Sequence, residues 1–139
     1  MSDAAATTIR VRYAETDQQA IAYHAHYFVW MEIGRTAFLQ ALGFPYRRLE
    51  EEGVFFSIVA ARCRYAGSAR YEDEVEIRTR LADVQSREVV FAYELKVGDR
   101  PIATGETTLI ALGAERRARR IPEPLALALR DRLSRDGTG

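Results

Sequence analysis

Apolar and polar residues alternate with period two through much of the second half of the chain. Between residues 75 and 81, and again between residues 89 and 95, every second position is apolar or Thr, and charged residues lie between or beside these positions. This alternation is typical of β-strands with one face in the core. The dipeptides Gln-Ser at 85–86 and Gly-Asp at 98–99 predict turns, and connections this short join antiparallel neighbours.

Three further segments have strand character. Residues 55–65 and 102–112 are rich in β-branched and aromatic residues, although Gly105 weakens the second segment. Near the N-terminus, residues 9–13 alternate between apolar residues and arginine, which predicts a strand with one solvent-facing side. We therefore expect one strand, then a helix, then four strands that follow one another as a meander.

The helix is predicted from the segment between about Tyr23 and Leu42. This segment contains no proline, and Gly34 is its only glycine, whereas Gly43 and Pro45 supply the stop signals expected just past a helix end. A second, terminal helix is predicted after the Ile-Pro-Glu-Pro sequence that begins at residue 121, because proline is favoured in the first turn of a helix.

The composition of the long helix predicts where it lies. Its polar residues Glu32, Arg35 and Gln40 form a narrow stripe, and nearly all its other residues are apolar, so the helix must be buried on most sides. Glu32 and Arg35 are three residues apart, which favours an ion pair within the helix or at a subunit interface. A five-stranded antiparallel sheet wrapped around this one long helix, an α+β fold, is the simplest way to bury it.

The length of 139 residues predicts a single domain, with residues 1–8 as a flexible tail and residues 121–139 as a short terminal helix and tail. Twenty basic and twenty acidic residues cancel, which argues against nucleic acid or a membrane surface as a partner. No stretch is apolar enough for a signal peptide or a membrane span. The one cysteine, Cys63, is most simply a core residue, and a reducing cytoplasm fits such a composition.

Candidate chemistry is concentrated just before the long helix. Hydrolysis at an acyl carbonyl needs a nucleophile, or a base that activates water, and hydrogen-bond donors directed at the oxygen that becomes negative. The first N–H groups of a helix have no partner within the helix, so the backbone near Tyr23 and His24 is a candidate oxyanion site. Asp17 is a short loop away, although an aspartate in this position also often caps a helix or forms a turn.

This region resembles the hotdog-fold acyl-CoA thioesterases, specifically the group that contains 4-hydroxybenzoyl-CoA thioesterase and the small bacterial thioesterases that act on acyl-CoAs. The resemblance spans residues 9–122. It rests on a strand that ends at Tyr13, on DQQAIAYHAHY beginning at Asp17, and on WMEIGR beginning at Trp30. The chain departs from the family pattern at Ala20, where glycine is usual, so the backbone angles of this loop or the width of the thioester channel could differ.

The resemblance implies the roles of these residues. It places the catalytic carboxylate on Asp17 and the donor that polarises the carbonyl on the backbone N–H of His24, with Tyr23 beside it. Whether Asp17 attacks the carbonyl carbon or deprotonates water is left open. The family also implies a homodimer or tetramer with the site between subunits, and the sheet edges of such a fold supply an independent reason for pairing.

Other polar residues have simpler interpretations. Glu15 is expected to be a surface charge at a strand end, with the alternative that it raises the pKa of Asp17. His24 and His26 are two residues apart and diverge on a helix, so no metal site is predicted, and no cofactor is predicted either.

Substrate contacts are predicted from residue type. Candidates for the acyl group are the aromatic residues Tyr23, Tyr27, Phe28, Phe55 and Phe56. Candidates for the coenzyme A phosphates are Arg116, Arg117, Arg119 and Arg120 after the last strand and Arg62, Arg64 and Arg70 around the second. For any one of these arginines, a solvated charge is an equally good interpretation.

The sequence favours an acyl-CoA thioesterase over two alternatives. A hotdog enoyl-thioester hydratase or dehydratase could use Asp17 with the His24 ring, but the Gly-Asp-x-Asn-Pro-x-His pattern of hydratases is absent. A non-catalytic acyl-CoA-binding module is the second alternative, because a fold does not fix a function. The type of acyl group is not indicated by the sequence.

Overall fold

A computed structural model describes residues 5–136 of the chain as one sheet with three helices. The strands are β1 Ala5–Arg10, β2 Phe55–Tyr65, β3 Glu74–Val84, β4 Glu88–Val97 and β5 Arg100–Leu112, and the helices are α1 His26–Ala41, α2 Tyr46–Glu51 and α3 Glu123–Asp136. The predicted α+β arrangement, a five-stranded antiparallel sheet packed around one long helix, is confirmed. No helix in this described part is long and apolar enough to cross a membrane.

The strand order is β1-β3-β4-β5-β2, and every neighbouring pair is antiparallel. Strands β3, β4 and β5 form the predicted meander, with turns at the two predicted positions. The prediction that β2 continues this meander is wrong, because β2 pairs with β5 instead of β3. Residues 66–73 connect β2 to β3 and are too many for a tight hairpin turn. They allow the chain to pass from the β2 edge of the sheet to the position of β3 beside β1.

The first strand begins earlier than predicted. It starts at Ala5, pairs with β3 and ends at Arg10, so residues 5–8 belong to the sheet and not to a tail. Residues 1–4 of the predicted tail lie outside the described residues. Tyr13, which the alternating pattern placed in the strand, instead begins a 3₁₀ turn at Tyr13–Glu15.

Two glycines allow α1 to approach the sheet closely. A Cβ atom on Gly34 would lie 2.5 Å from the Thr79 hydroxyl and 2.7 Å from a methyl carbon of Ile77, and a Cβ on Gly105 would collide with the Met31 side chain. Met31 is fully buried between the two layers. Gly105, which weakens the strand prediction, therefore provides the space into which the helix packs.

The prediction of a polar stripe on α1 is wrong in one respect. Arg35 is only 8% exposed, because it belongs to the i, i+4 row with Tyr27 and Met31 that faces the sheet. It makes no ion pair with Glu32 in the described part of the chain, and its Nη1 has no hydrogen-bond partner there. Conversely, Val29 and Ile33 are exposed, so a single chain leaves an apolar side of the helix uncovered.

The two shorter helices complete the core. Helix α3 confirms the predicted terminal helix and packs against β3, with Leu125 and Leu129 buried. Its Arg132 guanidinium lies 5.0 Å from the centre of the Phe38 ring. Helix α2 is not predicted by the sequence pattern, because six residues are too few for the helical period to be apparent.

Candidate active site

The segment before α1 folds back on itself and positions Asp17. Thr16 and Ala22 form an isolated antiparallel bridge, the Asp17 N–H donates to the Ile21 carbonyl at 2.9 Å, and the Tyr23 N–H donates to the Glu15 carbonyl at 2.8 Å. These contacts hold the turn that carries Asp17 beside the chain that leads into the helix.

Asp17 is half-buried, and one of its carboxylate oxygens takes part in the turn. Oδ1 accepts a hydrogen bond from the Gln19 N–H at 2.8 Å, whereas Oδ2 has no partner among the described residues. The prediction that Asp17 forms a turn is thus confirmed. A free carboxylate oxygen also leaves it able to act on a substrate.

Ala20 occupies the position at which the resembling family has glycine. Its φ is 63°, in the left-handed region that favours glycine, and its N–H donates to the Asp17 carbonyl at 2.9 Å. The alanine therefore keeps the backbone conformation of a glycine turn at a cost in strain.

The start of α1 presents two free backbone donors. The helix begins at His26 and not at Tyr23, and residues 24–25 form a turn whose His24 and Ala25 N–H groups have no acceptor in the described part of the chain. Each of the next N–H groups donates to the carbonyl three residues earlier. The His26 N–H, for example, donates to the Tyr23 carbonyl at 3.0 Å. No side chain in the described part of the chain caps this end of the helix, and the first turn of the helix contains no acidic residue. The positive end of the helix is therefore open to an anion.

Tyr65, at the end of β2, lies against this helix start, a contact that the sequence did not predict. Its hydroxyl donates to the His24 carbonyl at 2.9 Å, and its ring packs edge-on against Tyr27 with the centroids 4.9 Å apart. Burial, a hydrogen bond with Cys63 and the nearby Cys63 and Tyr27 groups raise the pKa of Tyr65 to about 12. Tyr65 is therefore protonated at neutral pH and acts as a donor that holds the turn.

Glu15 is buried, and the prediction of a surface charge is wrong. Its Oε1 accepts the Arg12 N–H at 2.8 Å, and its Oε2 accepts the Trp30 indole N–H at 3.0 Å. Burial alone would raise the pKa of Glu15, but the hydrogen bonds from Arg12 and Trp30 outweigh it and hold the pKa below its usual value. The 3₁₀ turn directs the side chain inward, which an alternating strand pattern could not indicate.

The predicted acyl-contact residues are divided between the two ends of the sheet. Tyr23 is exposed beside the helix start, Phe28 is half-buried, and Tyr27 is a core residue with only 2% exposure. Phe55 is half-buried and pairs with Leu112 at the opposite end of β2 from Tyr65. Eleven strand residues separate those ends by roughly 30 Å, so Phe55 does not share a pocket with His24 of the same chain.

The predicted phosphate-binding arginines are also divided. Arg62 and Arg64 project from the outer face of the sheet, where they line an open groove of about 670 Å³ together with Arg78 and Arg80. Arg62 is paired with Glu106 at 3.0 Å. A second set follows β5 at the far end of the sheet, and its exposed members include Arg116, Arg117 and Arg120. Because Arg62 lies opposite Glu106, six residues before the end of β5, the two sets are roughly 20 Å apart along the sheet.

The remaining candidates have structural surroundings. The His24 ring lies 4.5 Å from the Tyr23 ring and the His26 ring 6.2 Å from it, and residues 5–136 contain no group of three side chains suited to a metal. Arg70 is exposed, and its N–H donates to the Asp73 carboxylate at 2.8 Å. Burial raises the pKa of the Cys63 thiol, which is half-buried against the core as predicted and is not a reactive thiolate.

Residues 11–129 match the model of the thioesterase-like superfamily. The chain belongs to this superfamily. A solved structure of the Thermus thermophilus protein TT1821 shares 40% identity at a TM-score of 0.89 and covers 91% of this chain and 98% of that one. DHNA-CoA thioesterase from Staphylococcus aureus is 27% identical at a TM-score of 0.89, with 96% of this chain and 95% of that chain covered. These matches confirm the predicted resemblance and hotdog fold.

Among curated proteins, the matched region is shorter. YneP of Bacillus subtilis, provisionally named an acyl-CoA thioesterase, is 41% identical over 87 residues, which span 63% of this chain and 63% of YneP. The acyl-CoA thioester hydrolase YbgC of Escherichia coli is 31% identical over 87 residues, 63% of this chain and 65% of YbgC. The match thus covers slightly less than two thirds of each of these two relatives.

Proposed function

We propose that this protein hydrolyses acyl-CoA thioesters to the free acid and coenzyme A. The observation that carries the proposal is the pair of free N–H groups at His24 and Ala25, next to the turn that carries Asp17. Membership in the thioesterase-like superfamily supports the choice of reaction, and the two relatives YneP and YbgC, whose names specify acyl-CoA thioesters, support the choice of substrate.

In this proposal, the thioester carbonyl oxygen accepts the His24 N–H, and the positive end of α1 stabilises the oxyanion as it forms. Asp17 acts at the carbonyl carbon, either by direct attack, which gives a mixed anhydride that water then hydrolyses, or by taking a proton from an attacking water. Either route breaks the carbon–sulfur bond and releases the coenzyme A thiolate, which leaves readily without a strong general acid. Tyr65 supports the site because it fixes the His24 carbonyl, which shares a peptide plane with the free Ala25 N–H.

The proposed enzyme is a homodimer joined through β2. This strand is an edge of the sheet and exposes Ile58 and Val59, and the neighbouring helix exposes Val29 and Ile33. Unpaired backbone groups beside exposed apolar residues require a cover, and a twofold axis near the middle of β2 would pair the edges antiparallel. The other edge, β1, is only six residues long.

This pairing would unite the divided site residues. An axis near Ala60 places Phe55 of the partner subunit opposite Tyr65, close to His24 of the first chain. The segment that follows β5 lies beside Phe55, so Arg116 and Arg117 of the partner subunit would approach the same site and could hold the phosphates. A tetramer of two such dimers is compatible with this arrangement.

A panel of acyl-CoAs with aromatic, short aliphatic and long aliphatic acyl groups, assayed for release of free thiol, tests this function. We expect thiol release from at least one saturated acyl-CoA, on which a hydratase cannot act. Hydration of enoyl-CoA without thiol release would favour the hydratase alternative. Binding of acyl-CoA without turnover across the panel would favour a non-catalytic module.

A further inference from the structure

Glu15 connects the turn that carries Asp17 to the helix that begins beside His24. Its carboxylate accepts the Arg12 N–H at 2.8 Å and the indole N–H of Trp30 at 3.0 Å. Its backbone carbonyl accepts the Tyr23 N–H at 2.8 Å, one residue before the proposed oxyanion donor. Asp17 follows Glu15 by two residues. One residue therefore contacts both parts of the proposed site.

The surroundings of Glu15 differ from those of an ordinary turn residue. It is only 4% exposed, and Trp30, which donates to it, is fully buried in α1. Its only ion-pair partner among residues 5–136 is the Arg12 guanidinium at 3.4 Å, and the Arg12 side chain is 72% exposed. A buried carboxylate is costly unless hydrogen bonds hold it in place, so its contacts fix the distance between the turn and the helix.

We infer that Glu15 is a positioning residue that sets the separation of Asp17 from the His24 N–H. The inference rests on the proposed function, in which the thioester carbon and its oxygen must meet these two groups simultaneously. A displacement of about 1 Å at such a site can cost about a hundredfold in rate. Glu15 itself does not touch the substrate in this scheme.

The substitution Glu15→Gln tests the inference, because glutamine has the same shape but only one side-chain oxygen to accept a hydrogen bond. Its NH₂ group faces one of the two donors and cannot accept from it. We expect kcat for the best acyl-CoA to fall about tenfold to a hundredfold while KM changes less than about twofold. An unchanged kcat in the folded variant would overturn the inference.

A matched control separates positioning from loss of stability. Leu125→Ala removes part of a fully buried side chain on α3, outside the turn and α1, and should lower the melting temperature while leaving kcat unchanged. Both variants are assayed well below their melting temperatures. If kcat falls in both variants in proportion to the decrease in melting temperature, Glu15 has only a structural role and the inference is wrong.

If Glu15→Gln does not fold, the substitution Trp30→Phe tests the inference instead. Phenylalanine keeps an aromatic ring in the core but removes the indole donor, so we expect a fall in kcat of about tenfold or more with little change in KM. A full kcat in this variant would overturn the inference. The proposed function fails separately, if the unmodified protein releases no thiol or if Asp17→Asn retains its activity.

Discussion

At the scale of single residues, Asp17 and His24 carry the proposed chemistry through different atoms. Asp17 would contribute its side chain, and His24 only its backbone N–H. Substitutions that change side chains alone should therefore affect the two positions very differently.

Asp17→Asn should lower kcat by at least about a hundredfold, because either mechanism requires the negative charge and the amide lacks it. The fold should be unaffected, since the Asn oxygen can still accept the Gln19 N–H. Asp73→Asn is the matched control, because Asp73 accepts the Arg70 N–H at 2.8 Å in a similar turn. Thiol release and circular dichroism are measured for both, and near-normal turnover by folded Asp17→Asn would rule out this role.

His24→Ala should lower kcat less than about tenfold, because alanine retains the backbone N–H that is proposed to bind the oxyanion. The comparison with Asp17→Asn, under the same assay conditions, is the measurement. A loss as large as that of Asp17→Asn would assign the chemistry to the imidazole and strengthen the hydratase alternative.

Ala20→Gly should stabilise the protein by about 0.5–1 kcal/mol. Glycine relieves the strain of the left-handed conformation at φ 63°, and this gain exceeds the stability lost because glycine raises the conformational entropy of the unfolded chain. The melting temperature should rise by about 2–4 °C. Ala14→Gly is the control, since Ala14 is exposed and is not among the positive-φ residues, and there the same change should destabilise. Equal shifts at both positions would contradict the strain argument.

At the scale of elements, the fold depends on how closely α1 approaches the sheet. Gly34 and Gly105 lie on the two facing surfaces, and each leaves room for a side chain from the other layer. The helix also places Met31 and Trp30 in the core and the first turn at the proposed site. A change in its distance from the sheet should therefore disturb both stability and activity.

Gly34→Val should destabilise the protein by about 2 kcal/mol, because its side chain would meet Thr79 and Ile77 at distances that a packed core cannot accommodate. Ala37→Val adds two of the three carbons that Gly34→Val adds, at a half-buried position of the same helix, and should change stability by less than about 1 kcal/mol. Chemical denaturation of both variants measures the difference. Equal effects would show that the close approach at Gly34 does not limit the packing.

At the scale of the whole molecule, the site is expected to need two chains. One chain supplies Asp17 and the helix start, whereas Phe55 and the arginines after β5 lie at the far end of its sheet. The apolar edge at β2 gives an independent reason for association. The predicted cytoplasmic location and the choice between dimer and tetramer stay predictions.

Val59→Lys should convert the protein to an inactive monomer, because a charge on the β2 edge opposes pairing with a second β2. Leu127→Lys is the control, since Leu127 is 56% exposed and Val59 55%, but Leu127 lies on α3. Light scattering gives the mass, and thiol release across a dilution series gives the activity. Full activity of Val59→Lys at monomer mass would show that one chain builds the whole site.

The sequence by itself determined the local features of this protein. Period-two alternation predicted β3 and β4, turn residues marked the hairpins, and the motif around Asp17 and His24 indicated the family. Each of these signals lies within a short stretch of chain, where backbone preferences and hydrophobic periodicity act directly.

Only the tertiary structure decided which distant residues meet. The pairing of β2 with β5, the inward direction of Glu15 and the contact of Tyr65 with His24, 41 residues apart, depend on how the elements pack. The burial of Arg35 has the same cause, since its helical row faces the sheet whatever its charge. A periodic pattern predicts that a residue is buried. It does not predict which residues cover it, because the covering residues come from elements that are far apart in sequence.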